Sequence, residues 1–103
     1  MKYMVEMSVE TKLGNELEQQ PGGPGPVIGR LLEEFKPETV YMTASERKVF
    51  MVCDLNEEQT AALMIAGANI GGQYPKFTPV ISGKDFGQVV GNAIGTANKI
   101  LGK

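Results

Sequence analysis

The heptapeptide "VFMVCDL", residues 49–55, constrains the fold of this chain more than any other stretch. Apolar side chains occupy both its odd and its even positions. A strand of that kind has no face suited to water, so it belongs in the middle of a sheet with cover on both sides. The rest of the chain must therefore supply neighbouring strands and the layers that cover them.

The neighbours can be read from period two. In residues 2–10, Tyr3, Val5, Met7 and Val9 share one face, and Lys2, Met4, Glu6 and Ser8 share the other. This predicts a strand with one apolar and one mixed face. Residues 38–44 and 48–55 predict two further strands, joined by the short link "SER". The stretch "YPKFTPVIS" predicts a fourth strand, which its two prolines confine to a sheet edge.

Helices follow from the 3.6-residue period. Val27, Ile28, Leu31, Leu32 and Phe35 form one stripe, which Pro37 stops. Asn56 with Gln59 is a capping-box pattern opening "TAALMIAGANI", and Glu57 and Glu58 suit its positive end. Its core "AALMIAGA" has no polar side chain, so this helix needs cover on more than one side. Ser82 with Asp85 predicts a second capping box. The terminal helix over residues 83–101 then carries Phe86, Val89, Val90, Ile94, Ile100 and Leu101 on one stripe. Residues 13–25 show no consistent period and are expected to form a loop, longer than usual and acting as a mobile flap.

The predicted order is β-α-β-β-α-β with an added C-terminal helix, in a single domain spanning residues 1–103. That is the ferredoxin-like α+β pattern, an antiparallel sheet with helices on one face.

The stretch "QQPGGPGPVIGRLLEEF" looks like a phosphate cradle but does not meet its requirements. It contains no Walker-type lysine, and G-x-G-x-x-x-G is one residue off the dinucleotide fingerprint. Pro24 and Pro26 also remove two backbone donors that a phosphate would need. The stretch is better read as a helix start, with Gly25 near the N-cap and Pro26 at the first helical position, preset for helical φ.

Composition removes several classes of function. The chain has no His, which takes away the commonest general base and metal ligand. Cys53 is the lone cysteine, so neither an internal disulfide nor a thiolate zinc site can form. Cys53 reads as a small buried hydrophobe. A net charge of −2 and pI of about 5.1 do not suit nucleic acid. "RKVFMVCD" has Lys48 where an RNA-recognition strand needs glycine, and its one aromatic is Phe50. No cofactor or metal is expected. The opening residues do not form a signal peptide and no run is long enough to span a bilayer, so the expected compartment is the cytoplasm.

Glu6 is the carboxylate to single out. It lies on the face away from the helices, beside Met4 and the alternate residues of "VFMVC". A bare face of that kind would be a large apolar patch. If a second subunit covers it, Glu6 is enclosed, and loss of water favours the neutral acid. Tyr41 could orient a substrate oxygen there if its side of the second strand faces the same space. Gly83, Gly87, Gly91 and Gly95 recur every four residues in the terminal helix, and they read either as a close helix contact between subunits or as a frayed helix.

Through "MKYMVEMSV", "KVFMVCDL" and "QYPKFTPVI" the chain resembles the dimeric α+β-barrel superfamily, with similarity to the muconolactone isomerase family. "FKPETVYMTASERKVFMVCDL" and "PVISGKDF" resemble small uncharacterised members of that superfamily. The resemblance implies two ferredoxin-like subunits packed sheet against sheet around a pocket for a small apolar or aromatic ligand. Isomerase relatives usually carry a His in the first strand, where this chain reads Tyr3-Met4-Val5, so no site residue is transferred. Two readings follow. One is a homo-oligomeric small-molecule binder, or a His-free isomerase or lyase using Glu6 with Tyr41. The other is a non-catalytic assembly or interaction module.

Overall fold

The computed structural model describes all 103 residues, Met1–Lys103. The chain is α+β, with four antiparallel strands and four helices. The elements run β1 (Lys2–Ser8), α1 (Thr11–Gln19), α2 (Gly25–Phe35), β2 (Thr39–Met42), β3 (Lys48–Asp54), α3 (Glu57–Gly71), β4 (Lys76–Pro79) and α4 (Phe86–Leu101). The sheet order is β2-β3-β1-β4. The apolar strand β3 is central as its sequence requires, paired with β1 on one side and β2 on the other. Short β4 lies at the edge, where Pro79 stands opposite Tyr3 and costs no interior ladder bond.

One face of the sheet builds the core. Val5 and Met7 of β1 and Met51 and Cys53 of β3 are buried there against Leu31 and Phe35 of α2 and Leu63 of α3. Tyr3 packs edge-on to Phe77 at the β4 side, with ring centroids 5.8 Å apart. The capping box forms as expected. Gln59 N donates to Asn56 Oδ1 at 2.8 Å, and Asn56 N donates to Gln59 Oε1 at 3.0 Å. Only one face of α3 is covered. It is closed by Leu63, Gly67 and Gly71, while Met64 and Ile65 remain exposed.

Residues 13–25 are not the loop that their lack of period suggests. Most of them belong to α1, which carries Leu13 and Leu17 inward and buries Gly14. Two leucines four residues apart leave too short a stripe to register as a period. The helix is held from outside by Arg47, which lies across it. The remainder is a tight turn, with Gly22 and Gly23 at φ 81° and 60°, the left-handed region that glycine enters without penalty. Pro24 and Pro26 flank the first residue of α2, so the glycine-rich stretch does serve as a helix start. The Ser82–Asp85 pair also differs from expectation. Asp85 N donates to Ser82 Oγ at 3.3 Å, but the bond closes a turn, and α4 begins after it with no side-chain cap.

The covering layers stop at one face. β3 was expected to be covered on both sides, yet Phe50 and Val52 are only half-buried on the far face, and Met4 and Tyr41 there are exposed. α4 has no extensive packing against any other element, and none of its 16 residues is buried. The molecule is elongated accordingly. Its radius of gyration is 17.3 Å and its extents are 60 × 28 × 23 Å, against about 13 Å for a compact chain of this length. Leaving Phe86, Val89, Ile94, Ile100 and Leu101 in water forgoes about 1.5–3 kcal/mol for each side chain that could be buried. No helix is long and apolar enough to cross a membrane.

Candidate functional site

Strand register decides where Glu6 and Tyr41 lie. Glu6 is opposite Phe50 on one side and Lys76 on the other, and Phe50 is opposite Tyr41. The four residues make one cross-strand row, Tyr41–Phe50–Glu6–Lys76, on the face away from the core. The next row is Thr39–Val52–Met4–Thr78. Glu6 and Tyr41 therefore share a face, two strands and about 10 Å apart at the backbone. Phe50 stands between them. Glu6 is half-buried and its carboxylate has no hydrogen bond or ion pair, while Tyr41 is 71 % exposed. The row lies along an open sheet face, with no wall opposite it within the chain.

A concavity with an apolar lining lies on the other side of the sheet. A cavity of about 610 Å³ sits between α1, α2 and the β2–β3 hairpin. That is within the ~300–1,000 Å³ typical of small-molecule sites. Met7, Val27, Ile28, Leu31, Val49 and Ile70 give it an apolar lining, and neither Glu6 nor Tyr41 reaches it. Its position follows from local structure. α2 turns Leu31 and Phe35 into the core, while Val27 and Ile28 of its first turn line the cavity. Thr11, Gly14, Leu17 and Glu18 of α1 form the wall across from them.

Arg47 spans the cavity mouth. Its guanidinium donates to Thr11 O at 3.2 Å, to Asn15 Oδ1 at 2.8 Å and to Glu18 Oε1 at 2.9 Å. Gly14 is buried directly beneath it, and a Cβ at that position would collide with the arginine side chain. Beside it Lys48 pairs with Glu46 at 3.3 Å. In the hairpin, Thr43 Oγ1 donates to the Glu46 carbonyl, and Lys48 N donates to Thr43 Oγ1 at 3.2 Å. The charges at the mouth are thus already matched with one another. Sequence reasoning missed Arg47 because nothing along the chain indicates that the hairpin arginine meets a helix some thirty residues earlier. The only trace is Gly14 between Thr11 and Asn15, a small residue where a crossing side chain needs room.

Cys53 is fully buried in the core. Loss of water pushes its thiol pKa above the ordinary 9.0, and the Glu38 carboxylate adds to the rise. The unfolded chain then releases the thiol proton at a pH where the folded chain still holds it. Stability from this group is full below pH 9.0 and is lost as pH rises through the folded value. Urea unfolding of the wild type should therefore lose more stability between about pH 8 and pH 10 than unfolding of Cys53→Ala does. Equal losses in the two chains would place the thiol in contact with water. No group of three or more His, Cys, Asp or Glu side chains is placed to hold a metal ion.

Comparison of the chain with protein-family models, with curated proteins and with solved structures finds no match in any of the three.

Proposed function

We propose that this chain is a ferredoxin-like subunit of a homo-oligomer that binds one neutral, apolar or aromatic small molecule in the cavity beneath Arg47. The observation that carries the reading is an apolar cavity of small-molecule size whose rim charges are already paired with one another. A charged ligand would have to compete with Glu18 for Arg47 or with Glu46 for Lys48. An uncharged ligand gains from the apolar lining and leaves those pairs intact. The sheet order supports the ferredoxin-like assignment, because β3 lies between β1 and β2, and β1 lies between β3 and β4.

A neutral solvatochromic dye such as Nile red tests the site. The wild type should bind one dye per chain with a rise in melting temperature by mass action. Ile28→Trp places an indole in the cavity and should weaken binding by about tenfold or more, at a cost of about 1–3 kcal/mol or less in stability. Ile94→Asp, on exposed α4, should leave binding unchanged. Loss of binding in Ile94→Asp but not in Ile28→Trp would move the dye to the exposed helix and sink the assignment.

The enzyme reading, with Glu6 as acid–base group and Tyr41 orienting a substrate, is favoured by one observation. Both residues stand in a single row on one face of the sheet. It requires that face to be enclosed, which no part of this chain does.

A further inference from the structure

We infer that α4 of one copy lies across the open sheet face of a second copy, and that the exchange is reciprocal. The inference does not depend on the ligand reading. The chain carries two apolar surfaces with no partner of their own. One is the stripe of α4, along which Phe86, Val89, Ile94, Ile100 and Leu101 are all exposed. The other is the sheet face bearing Met4, Tyr41, Phe50 and Val52.

The two surfaces fit in shape. At 100° per residue the α4 stripe is roughly 140° wide, the breadth of a helix laid on a sheet and wider than the two-position seam of a coiled coil. Its 16 residues span about 24 Å, and the seven-residue strands β1 and β3 span about 23 Å. A helix aligned with these strands covers the face from end to end.

Charge separates the same two parts of the chain. Residues 83–103 hold Lys84, Lys99 and Lys103 against the single acid Asp85. The first 82 residues hold the other eleven acids against seven bases. The net charges of arm and body are opposite and steer two copies together at long range. The sheet face itself, with Lys2, Lys48 and Lys76 beside Glu6 and Asp54, is near charge balance and is contacted through its apolar residues. A two-fold exchange uses each surface once per copy and leaves neither surface free, so assembly closes at two chains.

Gly87, Gly91 and Gly95 lie on the flank of α4, off the stripe, and a Cβ on any of them meets nothing within 4 Å. In this arrangement the glycines are not the contact.

Light scattering of the full chain at micromolar concentration should return twice the 11.1 kDa chain mass. Two single-cysteine additions locate the contact: Ile94→Cys on α4 and Val52→Cys on the sheet. Mixed and oxidised, they should form a disulfide between unlike chains, while the wild type, with Cys53 buried, should not cross-link. A mass of one chain overturns the inference. So does a disulfide between two Ile94→Cys chains, which means helix on helix, or between two Val52→Cys chains, which means sheet on sheet. A disulfide closing within one chain that carries both changes means that α4 folds back on its own sheet, and it also overturns the inference. Two further variants need no cross-link. Ile94→Asp should raise the dissociation constant by about tenfold or more, and Gly91→Ala should leave it unchanged. The opposite pattern would assign the contact to the glycine flank.

Discussion

Leu63→Ala should destabilise the protein by about 2–5 kcal/mol, the usual cost of emptying a leucine site in a closed core. Leu63 is fully buried and is the side chain through which α3 joins the cluster of Val5, Met51 and Cys53. The whole core holds only eight buried apolar side chains. A small domain has about 5–15 kcal/mol of stability in total, so losing one of the eight removes a large share of it. The melting temperature should fall by roughly 10–30 °C. Ile65→Ala is the matched control on the same helix. Ile65 is 60 % exposed on the outer face, and its loss should change stability by no more than about 0.5 kcal/mol. Urea unfolding with unchanged m-values measures both. Equal losses at the two positions would mean that α3 is rotated from the orientation described.

Gly71→Ala should cost about 1–3 kcal/mol, although helix propensity alone predicts a gain of about 1 kcal/mol. The backbone decides the sign. An alanine Cβ at this position would land on the Ser8 carbonyl at the end of β1, and backbone cannot swing aside as a side-chain tip can. The same closeness lets Glu10 N donate to Gly71 O at 2.9 Å, tying the start of α1 to the end of α3. Gly67 is a second such position, where an added Cβ would meet the buried Pro75 ring. Thermal melts of Gly71→Ala and Gly91→Ala should shift in opposite directions, because nothing surrounds Gly91. A stabilised Gly71→Ala would show that α3 does not approach β1 as closely as described.

These glycines mark a limit of what can be read along the chain. Gly67, Gly71, Gly87, Gly91 and Gly95 all sit in helices at four-residue spacing, and periodicity treats them alike. Only the distance to Ser8 and Pro75 separates the first two, of which Gly71 lets backbone approach and Gly67 a proline ring, from the other three, which touch nothing. The candidate site shows the same limit. The alternation of β1 put Glu6 on the face opposite Val5 and Met7 without any structure, but the companionship of Tyr41 depended on pairing register. Register brought Tyr41 to the same face and interposed Phe50. The cavity beneath Arg47 was not legible at all, because its walls come from α1, α2 and the hairpin, and the hairpin meets α1 across some thirty residues of chain.

By itself, then, the amino-acid order determined what depends on near neighbours. The period-two run of β1, the continuous apolar run of β3, the stripe of α2, the Asn56–Gln59 cap and the edge placement of the proline-bearing strand β4 each arise from interactions a few residues long, and each appears in the structure. Tertiary structure alone decided that residues 11–19 are helical, because the Arg47 guanidinium that grips them comes from the β2–β3 hairpin. It also decided that the second face of β3 stays open and that α4 stands clear of the body. A sequence specifies that an apolar face must be covered, since water makes exposure costly. It does not specify which surface provides the cover, because hydrophobic attraction has no direction and is met by any apolar surface of fitting shape.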